Sequence, residues 1–131
     1  RRQRLILLIA ADARLAATVG AAGLHLPEAL AHRARAWRRR RPAWLITASA
    51  HSLPALWLAR RAGADAALVG PVFATASHPD ARTLGPLRFA ALARLSPLPV
   101  YALGGIDATT ARRLKAAGAQ GFAAIGAFAG A

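Results

Sequence analysis

A chain of 131 residues with 18 Lys+Arg against 5 Asp+Glu, a formal net charge of +13, has the length of one domain and a strongly basic surface. The absence of cysteine excludes a disulfide framework and any thiolate zinc site, and fits a reducing cytoplasm. No run approaches the ~18–20 uninterrupted apolar residues of a membrane helix, which points to a protein with no membrane segment.

After the basic start "RRQR", "LILLIA" predicts a first strand over 5–10. It is too short to cross a bilayer and lacks a small-residue cleavage pattern in the right place. The absence of methionine, position 1 included, reads as a trimmed or processed amino terminus. A helix over 12–19 follows, then a second strand over 23–26 that carries His25. Residues 28–40 read as one helix. Its end holds the densest charge, "HRARAWRRRRP" at 32–42, and seventeen of the eighteen basic residues of the chain are arginine. A solvated helix face with cations toward its C-terminus accounts for this cluster. An anion-attracting patch is the other reading, but no aromatic stacking pattern accompanies the charge, so nucleic acid is disfavoured as a partner. His32, within the cluster, reads as exposed and uninvolved.

A third strand over 44–49 leads to "HSLPALWLARRAG", where Ser52 and Pro54 signal the start of a helix over 53–62. A fourth strand spans 66–72. The connection 73–86 is rich in Pro, Ser, Thr, Asp and His, and a loop of that length after a strand is usually functional. A helix over 87–95, a strand over 100–103, a helix over 108–117 capped by Asp107, and a strand over 121–125 complete the pattern. "TVGAAGLHL", "RAGADAALVG" and "KAAGAQGFAAIG" repeat one grammar: a helix end, a glycine turn, then an apolar strand. Strict β-α alternation predicts parallel strands with right-handed crossovers. The result is either an open doubly wound sheet or a TIM barrel. A barrel needs eight βα units and about 250 residues, so this chain is two units short.

In such sheets chemistry lies beyond the C-terminal ends of the strands. Gly104-Gly105 ends one strand and opens a helix, and Gly126 with Ala127 ends the next. Together they suit a phosphate held by backbone N–H groups; a plain tight turn is the alternative. His51 ends the third strand. It is either packed at the strand end or an acid–base group facing the mouth. His25 raises the prospect of two imidazoles at one cavity. No Asp or Glu stands near either histidine at metal-ligand spacing, so no metal site is expected. In "VGPVFATASHPDARTLG", which leaves its strand through Gly70, the residues Thr75, Ser77 and His78 could bind an anionic or polar substrate; a solvated loop is the other reading.

The stretches "HSLPALWLARRAGADAALVGPVFATASHPDARTLG" and "PVYALGGIDATTARRLKAAGAQGFAAIGAF" resemble the thiamine monophosphate synthase family and its thiazole tautomerase-like relatives, the TenI-like proteins. Members read His-Ser-x-x-Glu-Ala, Ala-Gly-Ala-Asp, Gly-Pro-Val-Phe-x-Thr and a Gly-Gly-Ile turn. "VGAAGLHL" resembles the family's fourth strand. The resemblance implies an incomplete TIM (β/α) barrel of six parallel βα units, corresponding to strands 3–8, in a single partial domain. It implies a cytoplasmic protein of thiamine biosynthesis with a thiazole phosphate on Gly104, Gly105, Ile106 and the Ile125–Gly126–Ala127 turn. Thr75 and Ser77 would approach the phosphates. In the tautomerase-like branch, His51 matches the acid–base histidine. Mg²⁺ is expected for the synthase branch, yet the family's Asn-Asp step reads Ala10-Ala11 here. Its second carboxylate region reads Pro27-Glu28-Ala29-Leu30, with only Glu28 acidic, and a usual lysine is His78. The diphosphate-gripping second strand is missing. The thiazole phosphate half of the site therefore looks intact and the pyrimidine diphosphate half dismantled, which leaves a catalytically silent remnant as an alternative. Open edges near 5–10 and 121–128 predict a homodimer or a partner chain.

Overall fold

Six parallel strands pair in chain order, β1-β2-β3-β4-β5-β6, in a computed structural model that describes residues 5–125. They are β1 (Leu8–Ala10), β2 (Gly23–Leu26), β3 (Leu45–Ala50), β4 (Ala66–Val69), β5 (Val100–Leu103) and β6 (Gly121–Ala123). The helices are α1 (Ala13–Thr18), α2 (Ala34–Arg40), α3 (Leu53–Ala62), α4 (Gly85–Leu95) and α5 (Ala108–Arg112). A doubly wound sheet reverses its strand order at a switch point. This sheet never does, so it is an arc of a barrel, and the incomplete TIM barrel is the architecture observed. Among the described residues no helix is long and apolar enough to cross a membrane.

The pleat divides each strand between two faces. Leu24, Leu26, Ile46, Ala48, Val69 and Ala102 are buried toward the helices. Their small and branched side chains let α1 to α4 lie close to the sheet. Phe89 of α4, fully buried, is the largest core side chain. The alternate positions, including Leu8, His25, Thr47, Leu68, Tyr101 and Ala123, line an open groove of about 340 Å³ on the concave face. That face is part-polar because it is the barrel interior, and the strands present here cover it only in part.

Local chemistry explains the helix starts. Asp12 accepts the Leu15 N–H at 2.9 Å, and Ser52 accepts the Ala55 N–H at 3.3 Å. Asp107 accepts from Thr109 and Thr110, both at 2.8 Å, while Thr110 Oγ1 accepts the Asp107 N–H in return. These bonds, the Thr110 N–H first and the Thr109 N–H second, hold the Asp107 carboxyl below its usual range.

Several boundaries differ from the sequence expectation. The helix expected over 28–40 begins as a 3-10 helix, Glu28–Arg33, and becomes α-helical only at Ala34. Its cap residue is Pro27, which offers no side-chain acceptor, and the one acidic residue of the first turn is engaged elsewhere. The helix expected over 108–117 ends at Arg112, after which Arg113, Leu114, Lys115 and Ala117 donate to carbonyls three residues back. The first strand starts at Leu8; Leu5, Ile6 and Leu7 are exposed. The fourth stops at Val69, where Gly70-Pro71 ends the ladder.

Part of the arginine cluster is structural. The Arg38 guanidinium donates to the carbonyls of Pro42, Trp44 and Gly63 and pairs with Asp65 at 2.6 Å. Asp65 also accepts the Ile46 N–H, which ties α2 to the starts of β3 and β4. Arg40 stacks over Trp37 and Arg41 over Trp44. His32 is exposed, as expected.

Candidate functional site

The C-terminal ends of β3, β4 and β5 open into a cavity of about 420 Å³. Adjacent parallel strands end side by side, so residues that follow them in sequence meet there. Ser49 and His51 come from β3 and its exit. Gly70, Pro71, Thr75, Ser77, His78 and Arg82 come from the segment after β4, Gly104 and Gly105 from the exit of β5, and Ile125 from beyond β6. Eight expected residues therefore share one cavity: His51, Gly70, Thr75, Ser77, His78, Gly104, Gly105 and Ile125. Among the described residues no acidic side chain lines it, whereas Arg82 and two imidazoles do. The wall suits an anion.

The glycine turn is shaped by close approach. Gly104 and Gly105 have φ of 96° and 62°. A Cβ on Gly104 would sit 2.7 Å from Pro71 Cα, and one on Gly105 would meet the carbonyl oxygen of Ala74. The missing side chains thus let the segment after β4 fold down onto the turn, with the Phe73 N–H donating to Gly104 O at 3.1 Å. Among the described residues, no backbone acceptor meets the N–H groups of Gly104, Gly105 or Ile106. The Ile106 side chain is buried and borders an adjoining shallow cleft shared with Thr75, Ser77, Gly105 and Ile125. Gly126 and Ala127 lie outside the described residues.

The two histidines at strand ends part company. His25 lines the concave groove and not the cavity. Its Nδ1 is 2.9 Å from Thr47 Oγ1 and its Nε2 3.0 Å from Ser49 Oγ. Both ring nitrogens are engaged, which is a structural arrangement. Burial pushes the His25 imidazole below its usual value because the charged form loses hydration. The unfolded chain then binds that proton more readily than the folded one. The contribution of His25 to stability is present above the unfolded-state value of about 6.5 and is lost as pH falls through the lower folded-state value. Urea midpoints measured at about pH 7.5 and about pH 5 are expected to fall at the lower pH, and His25→Gln is expected to flatten that slope. An unchanged slope in the variant would contradict this account.

His51 has a partner that sequence spacing did not reveal. The Glu28 carboxylate lies 2.7 Å from His51 Nδ1 and accepts the His51 backbone N–H at 2.6 Å. The expectation concerned acids at metal-ligand spacing in the sequence and could not foresee this contact: 23 residues separate the two, but β2 and β3 bring them together. Arg82 and Ser49 were also missed. Arg82 signalled itself only as a lone cation in a long loop.

A family model described as thiamine monophosphate synthase matches residues 1–128. The chain belongs to the thiamine monophosphate synthase family. A relative from Aquifex aeolicus (strain VF5), which carries the provisional name thiamine-phosphate synthase 2, is 34% identical over 128 residues, or 98% of this chain and 68% of that one. The thiamine-phosphate synthase of Synechococcus sp. (strain WH7803) is 42% identical over 114 residues, or 86% of this chain and 32% of that one. Among solved structures, the thiamine phosphate pyrophosphorylase from Pyrococcus furiosus superposes with a TM-score of 0.72 at 28% identity, covering 90% of this chain and 55% of that one. The chain thus spans between about a third and two thirds of the length of these three relatives.

The thiamine monophosphate synthase resemblance implies magnesium, and the acidic side chains nearest the positions it points to, Asp12 and Glu28, are both engaged in other bonds. Ala10 and Ala11 carry no carboxylate, Asp12 caps α1, and Glu28 is engaged by His51. Among the described residues no three His, Cys, Asp or Glu side chains cluster as metal ligands. Ala11 nonetheless holds φ of 58°, a left-handed conformation that Asn and Asp adopt more readily than Ala.

Proposed function

We propose that this chain is a thiamine-biosynthesis-type protein that binds a thiazole phosphate in the cavity at the C-terminal face of its strands. One observation carries the reading: a family member's glycine turn, Arg82, His51 and His78 border a single cavity with no carboxylate in its wall among the described residues. The phosphate would meet the amides of Gly104, Gly105 and Ile106, with Thr75 and Ser77 donating hydroxyls from the opposite loop. The pyrimidine diphosphate half of the reaction has no such support, because the donor set for magnesium is incomplete. Calorimetric titration tests this. Thiazole phosphate is expected to bind saturably and to be competed by inorganic phosphate. Pyrimidine diphosphate with Mg²⁺ is expected to add neither heat nor product. Failure of thiazole phosphate to bind would overturn the proposal, whereas turnover with both substrates would restore a synthase.

A second reading, proton transfer on the bound thiazole, is favoured by the Glu28–His51 pair. An imidazole at the cavity wall, braced from behind by a carboxylate, is the arrangement of an oriented acid–base group. Binding without any proton transfer would leave a silent phosphate-binding protein.

A further inference from the structure

We infer that Glu28 is the positioning residue of His51, holding its proton on Nδ1 and presenting the Nε2 lone pair to the cavity. The inference deepens the proton-transfer reading and rests on it for its catalytic consequence.

One oxygen makes both contacts. Glu28 Oε2 accepts the backbone N–H of His51 at 2.6 Å and lies 2.7 Å from Nδ1 of the same residue. A backbone N–H can only donate, and an ionised carboxylate oxygen can only accept. The ring nitrogen facing that oxygen must therefore carry the hydrogen. In the neutral ring the other nitrogen, Nε2, is then the acceptor. His51 lines the cavity while Glu28 does not, so the carboxylate braces the ring from outside.

The brace is anchored at both ends. Glu28 opens the 3-10 helix that follows β2, and His51 is the first residue after β3. These strands pair in register, Leu26 beside Ala48, so the separation of the two side chains is set by the sheet. Glu28 is free for this duty: no other bond to its side chain is made among the described residues. With side-chain exposures of 57% and 38%, the pair is too wet to add much stability, which argues that it serves orientation. His25 offers the contrast: both its nitrogens are occupied by hydroxyls, and no lone pair is spare.

The step this geometry permits balances within the substrate. Nε2 removes a proton from a carbon of the bound thiazole, and the electron pair of that C–H bond shifts into the ring system. The imidazolium, protonated at both nitrogens and facing the Glu28 carboxylate, returns the proton to another atom of the same molecule. No oxidant or second substrate is consumed.

The test uses ¹⁵N-histidine-labelled protein and reads the ring nitrogens of His51, assigned by loss of signal in His51→Ala. The wild-type ring is expected to carry its proton on Nδ1, with Nε2 unprotonated. Glu28→Ala is expected to move the population to the Nε2–H tautomer. Glu28→Gln, whose amide oxygen can accept both N–H groups, is expected to retain Nδ1–H. A wild-type ring protonated at Nε2, or a tautomer indifferent to Glu28→Ala, would overturn the inference. These spectra need no ligand, so they judge the brace even if thiazole phosphate fails to bind. With the thiazole substrate, deuterium exchange from solvent is expected to slow ~10-fold or more in Glu28→Ala with KM unchanged, and to recover in Glu28→Gln. Exchange in wild type that both variants match would remove the catalytic consequence. No exchange in wild type would sink the proton-transfer reading while leaving the tautomer result to stand on its own.

Discussion

Gly105→Ala is expected to lower the stability of the fold by about 2–5 kcal/mol and to abolish the thiazole phosphate binding proposed for the cavity. Two costs add. Gly105 sits at φ of 62°, where a residue with a Cβ is disfavoured by about 1–2 kcal/mol. The new methyl would also run into the Ala74 carbonyl oxygen and come within 2.8 Å of Phe73 Cβ. Those atoms are backbone and the root of a side chain, so they cannot swing aside, and forced overpacking of this kind costs about 1–3 kcal/mol. The functional loss follows from where the relief must come. The displaced segment carries Thr75, Ser77, His78 and Arg82, which form one wall of the cavity. Denaturant unfolding gives the first quantity and calorimetric titration the second. Gly85→Ala serves as the control: its φ is 70°, but nothing lies within 4 Å of a Cβ there. It is expected to lose the backbone part alone, about 1–2 kcal/mol, and to keep binding. Equal losses in the two variants would show that crowding at the turn is not the operative cause.

Phe89→Ala is expected to cost about 3–5 kcal/mol, out of a total that for a domain of this size is about 5–15 kcal/mol. Phe89 is fully buried in the main core cluster with Leu56, Val69, Val72 and Leu114. Alanine-rich packing makes the consequence worse. Many neighbours are already small, so few long side chains are available to close the cavity. Helix α4 also anchors the far end of the segment that begins at Gly70, since the N–H groups of Leu84 and Gly85 donate to the carbonyls of Pro71 and Val72. Loosening α4 should therefore raise the mobility of the cavity wall along with the unfolded population. Thermal and urea unfolding with a titration at low temperature separate the two effects. A loss below about 1 kcal/mol would contradict the central place given to this side chain.

The order of strands and helices could be read from the chain because the signals are local. Short, largely apolar runs beside a glycine mark strands packed under helices, as at Gly23–Leu26 and Val100–Leu103. Asp12, Ser52 and Asp107 cap helices whose N–H groups lie three residues away, so each start is written in its own neighbourhood. Where a local signal was lacking, the boundary was misjudged. Residues 28–40 have helical composition but no capping side chain, and only the fold shows a 3-10 turn there. The family motifs were equally legible, since they are contiguous stretches and the match extends over residues 1–128.

Tertiary structure decided what depends on distance in space. β-α alternation by itself left a barrel and a doubly wound sheet open; the family motifs implied the barrel, and the chain-order pairing of the six strands shows it, since hydrogen bonds between strands leave no mark on either strand's sequence alone. The same holds for Arg38 with Asp65, 27 residues apart, and Glu28 with His51, 23 apart. Neighbouring parallel strands run roughly 4.8 Å apart, so residues at their ends meet whatever their separation along the chain. The glycines at 104 and 105 show both halves of this. Sequence marked a turn that needs no side chains; only the fold revealed that the space is taken by Pro71 and Val72 at Gly104 and by Phe73 and Ala74 at Gly105, brought there by the segment after β4.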